Sequence, residues 1–213
     1  MSTYLFKTLP RNLHNSFCAV RSSADNLFNL LKVAEIILTC NECRVEEHND
    51  FDVAIYTGGY NRVLVRKSDG YFTMNFPFKI EDQGDNLLLI YDIFHMGIDL
   101  RVISMMRNAI QTCNLTGYSH EEIILSLNSN FDVCLREAID VCDAFTSLIS
   151  EDHGYFRFDD DPANQNGTVH PRFHFDFFFR NTASVKLGTD MMISHDFFYP
   201  LFDMNQEKHY VGR

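Results

Sequence analysis

The sequence predicts an α+β fold, on three observations. Apolar residues recur at helical spacing in several segments of the first 150 residues. Between the first two of these the period drops to that of short β-rich runs. Toward the C-terminus Phe173, Phe175, Phe177 and Phe179 alternate with Arg172, His174, Asp176 and Arg180. A strand sends successive side chains to opposite faces, so this last stretch must have one aromatic face and one face of ionisable groups.

The elements follow in chain order. Leu27, Phe28, Leu30, Leu31, Ala34, Ile37 and Leu38 predict a helix from Ser22 or Ser23 to about Thr39. Phe51 to Tyr56, Arg62 to Arg66 and Tyr71 to Phe76 are short β-rich runs, separated by Gly58-Gly59 and by Ser68-Asp69-Gly70, and predict a three-stranded meander. Leu87 to Phe94 fits a buried strand and the start of a helix equally well. Val102, Met106, Ala109, Ile110 and Cys113 make Ile98 to Cys113 helical, and Ser119 with Glu122 forms a capping box for a short helix. Asn130 is expected to open a long amphipathic helix. Its stripe is Phe131, Cys134, Leu135, Ala138, Val141, Cys142, Phe145 and Leu148.

Beyond Glu151 the composition shifts toward phenylalanine and histidine. Tyr155 to Asp161, Phe173 to Arg180 and Ala183 to Leu187 read as three more strands, with Pro162 to Thr168 looping between the first two. A short helix around His195 to Phe202 and a segment near His209 follow. No linker interrupts the chain near residue 150, so residues 1–213 are expected to form a single domain. Its sub-parts are a helix, meander and helical layer (1–150) and a Phe-rich antiparallel sheet (151–213). The phenylalanine face is expected to pack on the long helix, against Cys134, Ala138, Cys142 and Phe145.

Composition narrows the function classes. A net charge of −11 argues against a broad basic surface for nucleic acid. It fits a soluble protein, an acidic partner of something basic, or an enzyme with a locally basic site. The N-terminal residues lack an apolar leader core and no apolar run could span a bilayer, so a cytoplasmic protein without membrane association is expected. The six cysteines then read as reduced and buried. Several motifs fall short of chemistry. Cys40-Asn-Glu-Cys43 has no second ligand pair, Gly58-Gly59 lacks the lysine of a phosphate loop, and Ser194-His195-Asp196 is adjacency rather than convergence.

The strand pattern is stronger. If the strands at Tyr155 and Phe173 pair as a hairpin, Phe156 and Phe158 join the aromatic face, each burial contributing roughly 1.5–3 kcal/mol. Arg157 and Asp159 then share the other face with Arg172, His174, Asp176 and Arg180. In the third strand Val185 and Leu187 pack inward, which adds Ser184 and Lys186 to the polar side. Residues two apart on a strand lie about 6.6 Å apart and residues four apart about 13 Å. His174 and Asp176 can therefore share a metal, or act as a general base with an orienting carboxylate. His170 cannot meet His174 on a regular strand, although a bend at Pro171 relaxes that restriction.

The candidate catalytic residues are His174, Asp176 and Asp159, with Arg157, Arg172 and Lys186 as substrate-binding cations suited to phosphate. A divalent metal, if one is used, would fall to His174, Asp176 and His170. The same alternation would also arise from a merely solvated sheet face, and the run Asp159-Asp160-Asp161 from a solvated strand end. Two functions compete. One is action on phosphodiesters, with nucleic acid or a nucleotide bound at this local site. The other is a non-catalytic acidic binding protein: an antitoxin, an inhibitor or a complex subunit. A protein partner or a second copy of the chain is expected in either case.

The order Tyr155-Phe-Arg-Phe-Asp159, His170-Pro-x-x-His174-x-Asp176 and Ser184-x-Lys186-Leu-Gly188 resembles the C-terminal signature of an uncharacterised bacterial family. The resemblance covers residues 155–188 and leaves the first 150 residues unmatched. It implies a prokaryotic or phage protein from a defence or toxin–antitoxin locus. It implies no reaction.

Overall fold

The computed structural model describes residues 2–46, 50–84, 86–151, 153–177 and 185–209. Its strands are β1 (Ser2–Phe6), β2 (Arg44–Val45), β3 (Val53–Thr57), β4 (Arg62–Lys67), β5 (Gly70–Asn75), β6 (Lys79–Asp82), β7 (Leu87–Tyr91), β8 (Met96–Gly97), β9 (Phe156–Asp160), β10 (Phe173–Asp176) and β11 (Lys186–Thr189). The helices are α1 (Arg11–His14), α2 (Ser23–Thr39), α3 (Leu100–Thr116), α4 (His120–Phe131), α5 (Leu135–Ser150) and α6 (Phe198–Phe202). The α+β class predicted from the pattern is what forms. No described helix is long and apolar enough to cross a membrane.

The chain divides into two compact units, and it passes between them repeatedly instead of dividing once near residue 150. The first unit draws on Met1–Thr8, Arg44–Phe76 and His153–Arg213, the second on Leu9–Cys43 and Pro77–Asp152. The expected sub-parts 1–150 and 151–213 do not coincide with these units. The physical reason is strand pairing: β5 of the meander pairs with β9, so the early strands and the Phe-rich strands complete one sheet.

Among the described residues that sheet has eight strands in the order β11-β10-β9-β5-β4-β3-β1-β2, with every pair of neighbours antiparallel. The register aligns Phe175 with Phe158, Phe158 with Tyr71, Leu64 with Ala54, and Ala54 with Leu5, which makes one continuous apolar face. Phe197, Phe198 and Phe202 pack over it, with the Phe198 ring 5.2 Å from Tyr71 and 6.2 Å from Phe175. The element that covers the phenylalanine face is thus α6 and the 3₁₀ turn before it, rather than the expected stripe of α5. Eight residues of local helix suffice because the rings supply the area, at roughly 1.5–3 kcal/mol for each ring buried. On the opposite face Phe6, Val53, Ile55, Val63, Val65, Phe72 and Met74 are buried, and toward the β9–β11 end this face carries ionisable groups.

In the second unit, helices α2, α3, α4 and α5 pack on one another and β6-β7-β8 form a small antiparallel sheet. Capping sets the helix starts: Ser22, Asp99 and Ser119 accept hydrogen bonds from the backbone of Asp25, Val102 and Glu122. The segment Leu87 to Phe94 resolves into strand β7 and a 3₁₀ turn. The long helix does not begin at Asn130. Asp132 adopts φ 51°, ending α4 at Phe131, and Cys134 caps the start of α5. Ala138, Val141, Cys142, Phe145 and Leu148 are nonetheless the buried stripe of α5.

Candidate active site

The polar end of the large sheet is assembled by register. His174 lies opposite Asp159 on one side and Gly188 on the other, while Asp176 lies opposite Arg157 and Lys186. Cross-strand partners project from the same face. Because Phe158 and Phe175 are held under the aromatic cover, Arg157, Asp159, His174, Asp176 and Lys186 must point the other way together.

Their side chains form one connected cluster. The Arg157 guanidinium donates to Asp176 Oδ2 from Nη2 at 2.7 Å and from Nε at 3.2 Å, and its Nε is also 2.9 Å from Asp159 Oδ2. The Lys186 ammonium donates to Asp176 Oδ1 at 2.8 Å and Oδ2 at 3.0 Å, and to His174 Nε2 at 2.8 Å. An ammonium can only donate, so Nε2 of His174 carries a lone pair and Nδ1 carries the proton. That proton is donated to the Pro171 carbonyl at 2.8 Å. His174 lies at the floor with a side chain 1% exposed, and Arg157 at the rim with 32%.

Two glycines make room for this. A Cβ on Gly188 would lie 2.7 Å from Pro171 Cγ, so the bare backbone of β11 is what lets the proline ring lie against it. That seating places the Pro171 carbonyl on His174 Nδ1. Gly70, opposite Asp159, has φ +146°, and its Cβ would stand 1.9 Å from the Phe158 carbonyl oxygen. Strands β5 and β9 can approach there only because the residue is glycine. Sequence reasoning read Gly70 as a turn residue; the Asp-Gly pair gave no sign of its role beside Asp159.

The two carboxyls are driven in opposite directions. Burial pushes the Asp159 carboxyl up, the Arg157 charge pulls it back, and the Asp176 charge adds to the rise, so it ends above its ordinary value. Burial is also the largest influence on Asp176 and pushes it up. There the hydrogen bonds and charges of Lys186 and Arg157 win, and the carboxyl ends lowered.

Five of the expected residues therefore converge: His174, Asp176, Asp159, Arg157 and Lys186. Arg172 does not join them. It reaches to Asp160 at 2.7 and 3.1 Å and lies over the Phe173 ring, because β10 starts only at Phe173 and the preceding residue is free of the strand alternation. His170 approaches Asp161 Oδ2 at 3.3 Å, and its ring stacks edge-on to His174 at 4.9 Å. The bend at Pro171 brings the two rings together, yet the group of ligand atoms within 4.8 Å of one another is Asp159, His174 and Asp176. Asp159 takes the place expected for His170. Val185, just before β11, and Leu187 within it, both expected to pack inward, are 42% and 40% exposed. Phe179, Arg180 and Ser184 lie outside the described residues.

Chemically, two carboxylates and two cations cancel, and one imidazole nitrogen faces them with a lone pair. Such a cluster can exchange a proton, take up a further cation, or release Lys186 and Arg157 to an anion. No protein-family model, curated protein or solved structure matches the chain.

Proposed function

We propose that the protein acts on phosphodiesters, in a nucleotide or a nucleic acid, at the strand face of β9, β10 and β11. The observation that carries this reading is the convergence of His174 Nε2, two carboxyls driven apart in acidity and two cations. Arg157 and Lys186 supply the positive charge that neutralises a phosphate. His174, Asp159 and Asp176 activate the attacking water. Arg172, held by Asp160, is left out of the phosphate contacts. The bacterial or phage defence setting implied by residues 155–188 agrees with such chemistry and remains part of the same proposal.

The test uses isosteric variants and a chromogenic diester such as bis(4-nitrophenyl) phosphate, alongside a single-stranded oligonucleotide. His174→Gln and Asp159→Asn should each lower turnover by about 100-fold or more while the circular-dichroism spectrum stays that of the parent. Full activity in both variants, or none in the parent on either substrate, would sink the reading.

A second reading is favoured by one observation, the net charge of −11. In it the protein is a non-catalytic acidic binder and the cluster is a structural ion network. Capture of a basic partner that weakens steeply with salt, by a protein inert toward diesters, would select it.

A further inference from the structure

We propose that Asp159, His174 and Asp176 form a site for one first-row divalent cation such as Mn²⁺ or Zn²⁺, and that Lys186 is the internal cation held there until the metal displaces it. The proposal deepens the phosphodiester reading and rests on it only for the reaction, since metal uptake can be measured without substrate.

Four observations lead to it. The three ligand atoms lie within 4.8 Å of one another, so one point lies roughly 2.8 Å from each, and side-chain rotation alone can close that to a bonding distance of about 2.1 Å. A cation already stands beside two of these ligands: Lys186 Nζ is 2.8 Å from His174 Nε2 and 2.8 and 3.0 Å from the Asp176 oxygens. The His174 ring, 1% exposed, gives its other nitrogen's proton to a backbone carbonyl, the arrangement that fixes a metal-binding histidine in its tautomer. Finally, Lys186 belongs to the outermost strand of the sheet as described, on a long flexible stem, so its ammonium can swing away without disturbing β10.

One imidazole nitrogen with two carboxylates suits Mn²⁺ or Zn²⁺ better than Mg²⁺ or Ca²⁺, which favour all-oxygen sets. Charge explains why the exchange matters. With Lys186 in place, two carboxylates and two cations sum to zero, and an entering anion must compete with Asp176 for Arg157 and Lys186. With a divalent ion bound and Lys186 turned outward, the same groups sum to +2, and a phosphate is attracted to the metal, Arg157 and Lys186 together. Held by Asp159, His174 and Asp176, the metal would supply the activation of the attacking water, while Arg157 and Lys186 keep the phosphate.

The test is calorimetric titration of EDTA-dialysed protein with MnCl₂, and separately with ZnCl₂, at neutral pH. The parent should take up one equivalent per chain. Lys186→Met, which removes the internal competitor, should bind at least about tenfold tighter, and His174→Gln at least about tenfold weaker. If Lys186→Met is unfolded without metal, adding Mn²⁺ should restore its cooperative melting transition. No saturable uptake in either the parent or Lys186→Met overturns the proposal, as does uptake unaffected by His174→Gln. The two readings fail separately. One equivalent of metal without diester cleavage upholds the site and removes the reaction; cleavage that persists in EDTA with no metal bound does the reverse.

Discussion

Asp159 and Asp176 are neighbours across a strand pair with opposite consequences for stability. Asp176 has a lowered folded-state pKa, so its contribution is present above the ordinary carboxyl value of 3.8 and is lost as pH falls through the lower folded value. Asp159 is raised, so its contribution is largest below 3.8 and is lost as pH rises through the higher folded value. Replacing Asp176 by Asn leaves Lys186 and Arg157 facing a neutral amide, and should cost about 2 kcal/mol at pH 7, less than a fully buried pair because both cations are partly solvated. Asp159→Asn removes a desolvated charge beside another, and should leave stability within about 1 kcal/mol of the parent or raise it. Urea unfolding of both variants between pH 3 and 8 checks this. The difference between Asp176→Asn and the parent should shrink below pH 4, whereas that for Asp159→Asn should favour the variant only above it. A larger loss for Asp159→Asn than for Asp176→Asn at pH 7 would reverse the assignment. The alternation of β9 and β10 was enough to place these residues on one face from sequence. It could not place Arg172, whose guanidinium leaves the alternation one residue before β10 begins.

At the scale of elements, the site depends on two close backbone approaches. Gly188→Ala pushes a Cβ to 2.7 Å from the Pro171 ring, which is not a flexible tip and must move as a unit. The expected cost is roughly 1–3 kcal/mol, together with loss of the Pro171 carbonyl from His174 Nδ1, visible as a changed imidazole tautomer in ¹⁵N NMR. Gly70→Ala is worse, because the Cβ meets a backbone oxygen at 1.9 Å at φ +146°, and it should destabilise more than Gly188→Ala in the same urea titration. Helix starts were legible where a cap precedes a periodic run, as at Ser22 and Ser119. The break between α4 and α5 was hidden, since Phe131, Cys134 and Ala138 keep three-four spacing straight through it and only the left-handed Asp132 interrupts the chain. Aspartate is among the few residues that adopt that conformation readily, and nothing in its neighbours advertises it. Strand β1 was also missed: its five residues pair along β3 and borrow their register from it, so the signal lies in the partner.

For the whole molecule, the division into two interleaved units was not legible because pairing between residues as distant as Tyr71 and Phe158 leaves no local mark. Net charge was legible, and it constrains the proposed reaction. A chain carrying −11 repels a polyanion at long range, whatever its local site offers. The Debye length shrinks from about 30 Å at 0.01 M salt to about 8 Å at 0.15 M, so added salt removes this repulsion while leaving contacts inside the half-buried cluster comparatively unscreened. For an oligonucleotide, kcat/KM should rise severalfold between those two ionic strengths. For the singly charged bis(4-nitrophenyl) phosphate it should change little. Proteins that hold nucleic acid on a basic surface do the opposite, losing affinity steeply as salt displaces them. Steady-state rates on both substrates across this salt range decide the matter. A steep fall for the oligonucleotide would mean that a basic tract, not the balanced cluster on β9, β10 and β11, receives the substrate.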